Sequence, residues 1–213
     1  MKHKITDIQS LLEKFDTSGP RYTSYPTAPQ FHTDVTHNDW NRAFQKSNQS
    51  NTNISLYLHI PFCQSLCFFC GCNMQITRNQ ALVENYLSHL FLEVEMIAEK
   101  LESNRTVTQI HFGGGTPNFL NPTQIISLGE KINSLFSISK EVEFSCEIDP
   151  RTLTITHAEA LVNIGVNRIS IGIQDFDEKV QKRVNRINSF SKVEEIQTWF
   201  KNLGINKFNF DLI

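Results

Sequence analysis

From Ile54 onward the apolar positions switch repeatedly between two periods. Short runs rich in β-branched and aromatic residues, Ile54 to Ile60, Val107 to Phe112, Glu141 to Ile148, Asn167 to Ile173 and Asn206 to Ile213, predict five strands. Between them the apolar residues recur at steps of three and four. Val83, Leu87, Leu90, Val94, Ile97 and Leu101 predict a helix from about Asn79 to Glu102. Asn121 and Pro122 open another, with Ile125, Leu128, Ile132 and Leu135 on one face. A short helix ends at Gly165, and a further one runs from about Lys192 to Leu203. The segment Asn163 to Ser170 lines up with Asn202 to Asn209, each a helix end, a glycine C-cap and the start of the next strand. Strands alternating with helices at this spacing define parallel βα units with right-handed crossovers, an α/β fold.

The first fifty residues read differently. Residues 5 to 15 predict a short amphipathic helix with Ile8, Leu11, Leu12 and Phe15 on one face. Prolines at 20, 26 and 29 make the next stretch an extended arm, and Arg21, Tyr22, Tyr25 and Phe31 suit an arm docked on the body better than a linker. Thr36 to Lys46 predicts a short helix with Trp40 and Phe44 one turn apart. The expected organisation is therefore an N-terminal part, residues 1–50, of helix, arm and short helix, followed by a core, residues 51–213. The near balance of 20 basic and 22 acidic residues, net charge −2, carries no electrostatic footprint for nucleic acid or an anionic membrane. No run approaches the roughly 18 apolar residues of a membrane span, and the N-terminus lacks the features of a secretory leader. Five cysteines, four of them within ten residues, argue against a disulfide framework and for a reducing compartment, so a cytoplasmic location is expected.

That cysteine cluster is the strongest chemical signal. Cys63, Cys67, Cys70 and Cys72 directly follow the first strand, and the first three have the spacing C-x3-C-x2-C. One loop can then wrap three thiolates around three corners of a [4Fe–4S] cubane and leave the fourth iron without a protein ligand. Thiolates also suit a structural tetrahedral zinc, although zinc usually draws its ligands from two separated pairs. Other candidates fall just past strand ends, where βα barrels carry their chemistry: the Gly113-Gly114-Gly115 loop, Glu147 and Gln174. Each has a plain structural alternative: a tight turn for the glycines, a solvated strand-end charge for Glu147 and Asp149, a surface position for Arg186, packing for His59 and His111. Cys146, alone in a strand, reads as a small core residue.

The motif C-x3-C-x-aromatic-C, with the aromatic at Phe69, resembles the signature of the radical S-adenosylmethionine (SAM) enzymes. The resemblance implies an incomplete barrel of six βα units, here an α/β core truncated after about five strands. It also implies a cluster whose open iron is chelated by SAM, and one-electron cleavage of SAM to methionine and a 5′-deoxyadenosyl radical. Within that superfamily the chain closely resembles the oxygen-independent coproporphyrinogen III oxidases. The matching stretches are G-P-R-Y-T-S-Y-P-T at 19 to 27, Y-L-H-I-P-F-C-Q-S-L-C-F-F-C-G-C-N at 57 to 73, H-F-G-G-G-T-P at 111 to 117, E-I-D-P-R at 147 to 151, G-I-Q-D-F at 172 to 176, V-N-R at 184 to 186 and N-F-D-L-I at 209 to 213. The group's reaction turns two propionates of coproporphyrinogen III into vinyls, giving protoporphyrinogen IX in haem biosynthesis. By that resemblance Cys63, Cys67 and Cys70 hold the cluster and Tyr57, Gly114 and Glu147 contact the cluster-bound SAM. Phe69, Gly115, Thr116, Gln174, Arg186 and Asp211 match positions for a second SAM, and Cys72 is a non-ligand cysteine nearby. The expected partners are coproporphyrinogen III, an electron donor and an electron acceptor, the chain acting as a monomer. A related haem-binding chaperone is the alternative. Members of this group continue well beyond the final strand, so the chain is expected to be a fragment or a truncated reading frame.

Overall fold

The computed structural model describes residues 13–14, 16, 27–50, 52–102 and 105–213. Most of the helix expected at 5–15 and most of the arm lie outside these residues. Contacts divide the chain after Ala43. Before that point, a single 3-10 turn spans Ala28–Gln30 and helix α1 (His37–Ser50) begins. Thr36 and Asp39 cap its start reciprocally: the Thr36 backbone N–H donates to Asp39 Oδ2 at 2.9 Å and the Asp39 N–H to Thr36 Oγ1 at 3.3 Å.

The larger unit, Phe44–Ile213, carries the expected parallel sheet. Its elements in order are β1 (Ile54–Ile60), the two-residue strands β2 (Phe62–Cys63) and β3 (Gln75–Ile76), α2 (Gln80–Lys100), β4 (Thr106–Gly114), α3 (Pro122–Leu135), β5 (Ser137–Ile148), α4 (Ile155–Asn163), β6 (Arg168–Gln174), α5 (Glu178–Arg183), α6 (Phe190–Asn202) and β7 (Phe208–Leu212). The five long strands pair in the order β1-β4-β5-β6-β7, all in parallel. Five parallel strands in sequential order form the incomplete βα barrel that the sequence implies. Buried residues alternate along β6 at Ile169, Ile171 and Ile173. The buried strand residues form one core with Val83, Leu87 and Leu90 of α2, Ile125, Leu128 and Ile132 of α3, Leu161 of α4 and Ile196 and Phe200 of α6.

The sequence missed three features. Strand β5 begins at Ser137 rather than Glu141, because Ser137 and Ile138 pair with Thr106 and Val107 before the ladder shifts register. The single turn and a half of α5 lacks an apolar period to betray it. The pair β2 with β3, which aligns Cys63 with Ile76, brackets the cysteine loop and is too short to leave a pattern.

Arg105 anchors the start of β4. It is buried, and its guanidinium donates to Thr52 O at 2.9 Å, to Ser47 Oγ at 2.8 Å and to Asn48 Oδ1 at 3.3 Å. Its charge thereby meets the C-terminal end of α1, where the helix dipole favours a cation. Arg105→Ala should cost about 2–3 kcal/mol in urea unfolding, the range for buried hydrogen bonds to a charged group. Arg105→Lys should recover less than half of it, since one ammonium cannot span acceptors on two segments.

Candidate functional site

Parallel pairing brings the carboxyl ends of the strands to one rim. His59 and Ile60 of β1 stand level with Gly113 and Gly114 of β4, Ile148 of β5 with Ile171 of β6, and Gln174 of β6 with Leu212 of β7. The loops leaving these ends enclose a cavity of about 340 Å³. Cys63, Cys67 and Cys70 line one side together with Phe69 and Cys72, and Gly114, Gly115 and Thr116 form another. Glu147, Gln174, Arg186 and Asp211 complete the wall. Eleven of the twelve residues singled out from sequence therefore face one space. Tyr57 does not. Its ring stacks on His111, 5.7 Å between centroids, and its hydroxyl lies 3.0 Å from His59 Nδ1. Burial, followed by the nearby Glu147 and Cys72, pushes its phenol pKa up.

The glycines are required by space. Gly114 has φ +116°, and a Cβ there would come within 2.8 Å of the His59 ring. A Cβ on Gly115 would meet the Pro61 carbonyl carbon at 2.9 Å. A side chain at either position would collide with β1 or the segment after it, so bare backbone lines the cavity here. Glu147 is steered by two neighbours: Oε2 accepts from the Gly114 N–H at 3.3 Å and Oε1 lies 3.1 Å from His111 Nε2, whose Nδ1 is 2.6 Å from Ser145 Oγ. Asp211 is held by Ser170 Oγ at 3.0 Å and Asn209 Nδ2 at 2.8 Å. Gln174 adopts φ +73°, a strained conformation for a residue with a side chain, at the mouth of the sheet.

The cysteine loop is fastened to the loop after α5. The Phe68 N–H donates to Val184 O at 3.0 Å, and Asn185 Nδ2 donates to Leu66 O at 2.7 Å. Beneath it sits Asp149, with its side chain 7% exposed, gripped by Arg151 and Arg186. Arg151 Nε donates to both carboxylate oxygens at 3.0 Å and Nη2 to Oδ2 at 2.5 Å, while Arg186 Nη1 reaches Oδ2 at 3.3 Å. Burial alone pushes the Asp149 carboxyl up, but the hydrogen bonds from Arg151 and the charges of Arg186 and Arg151 outweigh it and hold the pKa below the usual value of 3.8. Sequence reasoning left Arg151 and Asn185 without a role. Both lie in matched motifs, E-I-D-P-R and V-N-R, but nothing in one dimension says that these loops meet.

The thiols differ among themselves. Burial pushes Cys63 up, Thr116 Oγ1 at 3.3 Å opposes that, and the neighbouring Cys70 adds to it. Burial, then the charge of and hydrogen bond with Cys70, raises Cys72 to about 11, so it holds its proton at neutral pH. Cys146 is fully buried in the core and raised further by that burial. Among the described residues, no three His, Cys, Asp or Glu side chains converge on a single-ion site. Any of these thiols that binds metal must release its proton on assembly.

A parallel βα sheet with three cysteines and a glycine strip around one cavity at its carboxyl edge is the arrangement of a radical SAM core. Residues 57–213 match the family model of the Radical SAM superfamily, and the chain belongs to that superfamily. Its cofactors are accordingly a [4Fe–4S] cluster and SAM, and the thiol trio, the bare Gly114-Gly115 strip and the Glu147 carboxylate fit them. The chain is similar to oxygen-independent coproporphyrinogen III oxidases from Helicobacter pylori, 41% identical over 203 residues, and Pseudomonas aeruginosa, 39% identical over 205 residues. These matches cover 94% and 95% of this chain and 44% and 45% of the relatives, so the chain spans less than half their length. Its fold superposes on that of a coproporphyrinogen III oxidase from Escherichia coli with a TM-score of 0.85 at 36% identity, covering 97% of this chain and 45% of that one.

Replacing Asp149 by Asn should destabilise the chain by about 3–5 kcal/mol at pH 7, because two partly desolvated guanidiniums lose their counter-charge. The sign of the pH dependence follows from the lowered folded-state pKa. The contribution of Asp149 is full above about pH 4 and is lost as the pH falls through its folded value, so urea titrations at stepped pH should show a shallower acid limb in Asp149→Asn.

Proposed function

We propose that this chain is the cluster- and SAM-binding core of an oxygen-independent coproporphyrinogen III oxidase. The observation that carries the reading is the joining of three cysteines, the Gly114-Gly115 strip and Glu147 around one cavity, in a chain matched over nearly its whole length by relatives bearing that name. From each of two propionate arms of coproporphyrinogen III the proposed reaction removes one hydrogen atom, taken up by the deoxyadenosyl radical, together with carbon dioxide and one electron, which passes to an acceptor, leaving vinyls and protoporphyrinogen IX. When bound, the cluster and SAM supply a 5′-deoxyadenosyl radical that abstracts hydrogen from the propionate β-carbon.

The chain's own residues bind and orient. Cys63, Cys67 and Cys70 are the proposed cluster ligands. Glu147, held by the Gly114 N–H and beside His111, presents a fixed carboxylate to the cationic, hydroxyl-bearing cofactor, and Tyr57 flanks it from β1. A second SAM beside the first would face Phe69, Gly115, Thr116, Gln174, Arg186 and Asp211, which share the same cavity. Cys72, retaining its proton, is a thiol close to the cofactors rather than a ligand. Among the described residues no helix is long and apolar enough to cross a membrane, and all five cysteines are free, which supports a reducing, cytoplasmic setting.

The test is anaerobic: reconstitute the chain with iron and sulfide, add SAM and a strong reductant, and quantify 5′-deoxyadenosine with and without coproporphyrinogen III. We expect a brown, sulfide-containing protein whose SAM cleavage rises with the porphyrinogen. Cleavage indifferent to the porphyrinogen would contradict the substrate assignment, and zinc without sulfide would contradict the cluster. Cys63→Ala, Cys67→Ala and Cys70→Ala should each lose the cluster, whereas Cys72→Ala should keep its iron and sulfide. Glu147→Gln should lower SAM cleavage at limiting SAM by about 10- to 100-fold, the equivalent of one charge-assisted hydrogen bond.

A further inference from the structure

Two guanidiniums from different loops meet on one sulfur. Arg151, after β5, places Nη2 3.5 Å from Cys67 Sγ, and Arg186, after α5, places Nη1 3.4 Å from the same atom. Both side chains are fixed before they reach it. Arg151 is forked onto Asp149 and donates through Nη1 to Ser65 Oγ and Asn185 O, each at 3.3 Å. Arg186 donates to Gly172 O through Nε at 3.0 Å and Nη2 at 2.6 Å, as well as to Asp149. The side chains of Asp149, Arg186 and Arg151 are 7%, 11% and 20% exposed, so solvent screens their charges little. One carboxylate between two guanidiniums leaves a single positive charge in surplus, and the Nη of each that bonds Asp149 Oδ2 also points at Cys67 Sγ.

We propose that Arg151 and Arg186 form a cationic clamp on the Cys67 thiolate that raises the reduction potential of the cluster held by Cys63, Cys67 and Cys70. The inference rests on the cluster reading of the site and adds to it a positioning and tuning role for Arg151, which the sequence resemblance leaves unassigned. Reduction adds one electron to the cluster, and part of that charge resides on the ligand sulfurs. Hydrogen bonds to a ligand sulfur and a nearby cation stabilise the more negative, reduced state. Removing a donor therefore makes reduction harder. Asp149 keeps the pair usable: without it, two like charges would face each other beside the sulfur. Arg151 is the better probe of the two, because Arg186 also secures the Gly172 carbonyl of β6.

The experiment compares the reconstituted full chain with Arg151→Gln and Arg151→Lys, measuring iron and sulfide content and the cluster's midpoint potential by anaerobic titration followed by electron paramagnetic resonance. In Arg151→Gln at full cluster content, the one-electron reduction equilibrium should move about tenfold against the reduced form, a shift of about 59 mV to lower potential. Arg151→Lys, which keeps the charge but cannot both fork onto Asp149 and reach the sulfur, should shift less in the same direction. A merely structural arginine would lower cluster content or stability and leave the potential of the clusters that do form unchanged. An unmoved or raised potential in Arg151→Gln thus overturns the clamp. If that variant assembles no cluster, Arg151→Lys decides by the same criterion, and failure of both to assemble one assigns Arg151 a structural role and also overturns the clamp. A wild-type chain that takes up no cluster would instead refute the cluster reading on which the clamp depends.

Discussion

The carboxylate of Asp149 is buried at the carboxyl end of β5 and kept ionised by Arg151 and Arg186. Three loops depend on it. Arg151 reaches from Asp149 to Ser65 in the cysteine loop and to the carbonyl of Asn185, and Arg186 reaches from it to β6. Without the carboxylate, two partly desolvated guanidiniums would repel each other in the floor of the cavity. With it, they fix the spacing between the thiols and the strands behind them, so the electrostatics of one residue organise the geometry of the whole site.

This arrangement is possible because the sheet is parallel. Every βα loop of such a sheet leaves from the same edge, so residues more than a hundred positions apart, such as Cys67 and Arg186, converge without any local sequence relation. The helices cover the sheet's outer face and bury its alternate apolar residues, leaving the polar ends of the strands to build the cavity. Rigid strands also fix the direction of Glu147, whose two oxygens lie against Gly114 and His111 of the neighbouring strand.

The cavity wall combines groups that are ready for a cofactor with groups that need one. Glu147, Asp211 and the glycine backbone are already oriented by internal hydrogen bonds. The buried thiol of Cys63 is pushed toward its neutral form and becomes a ligand only as iron displaces the proton. Cys72 is pushed the same way by burial and by Cys70.

Much of this was legible in one dimension. The alternation of period 2 and period 3.6 located all five long strands and five helices, because each element buries a continuous apolar face and must repeat accordingly. The cysteine spacing and the glycine run pointed to the proposed chemistry, and the structure brings both to one cavity. Tertiary structure alone decided the rest. It put Tyr57 beside the cavity instead of in its wall, brought Asn185 against Leu66, turned Arg105 into a clamp between segments, and aimed Arg151 and Arg186 at one sulfur. Those are contacts between loops, where side-chain reach and burial set the partner and no periodicity along the chain records it.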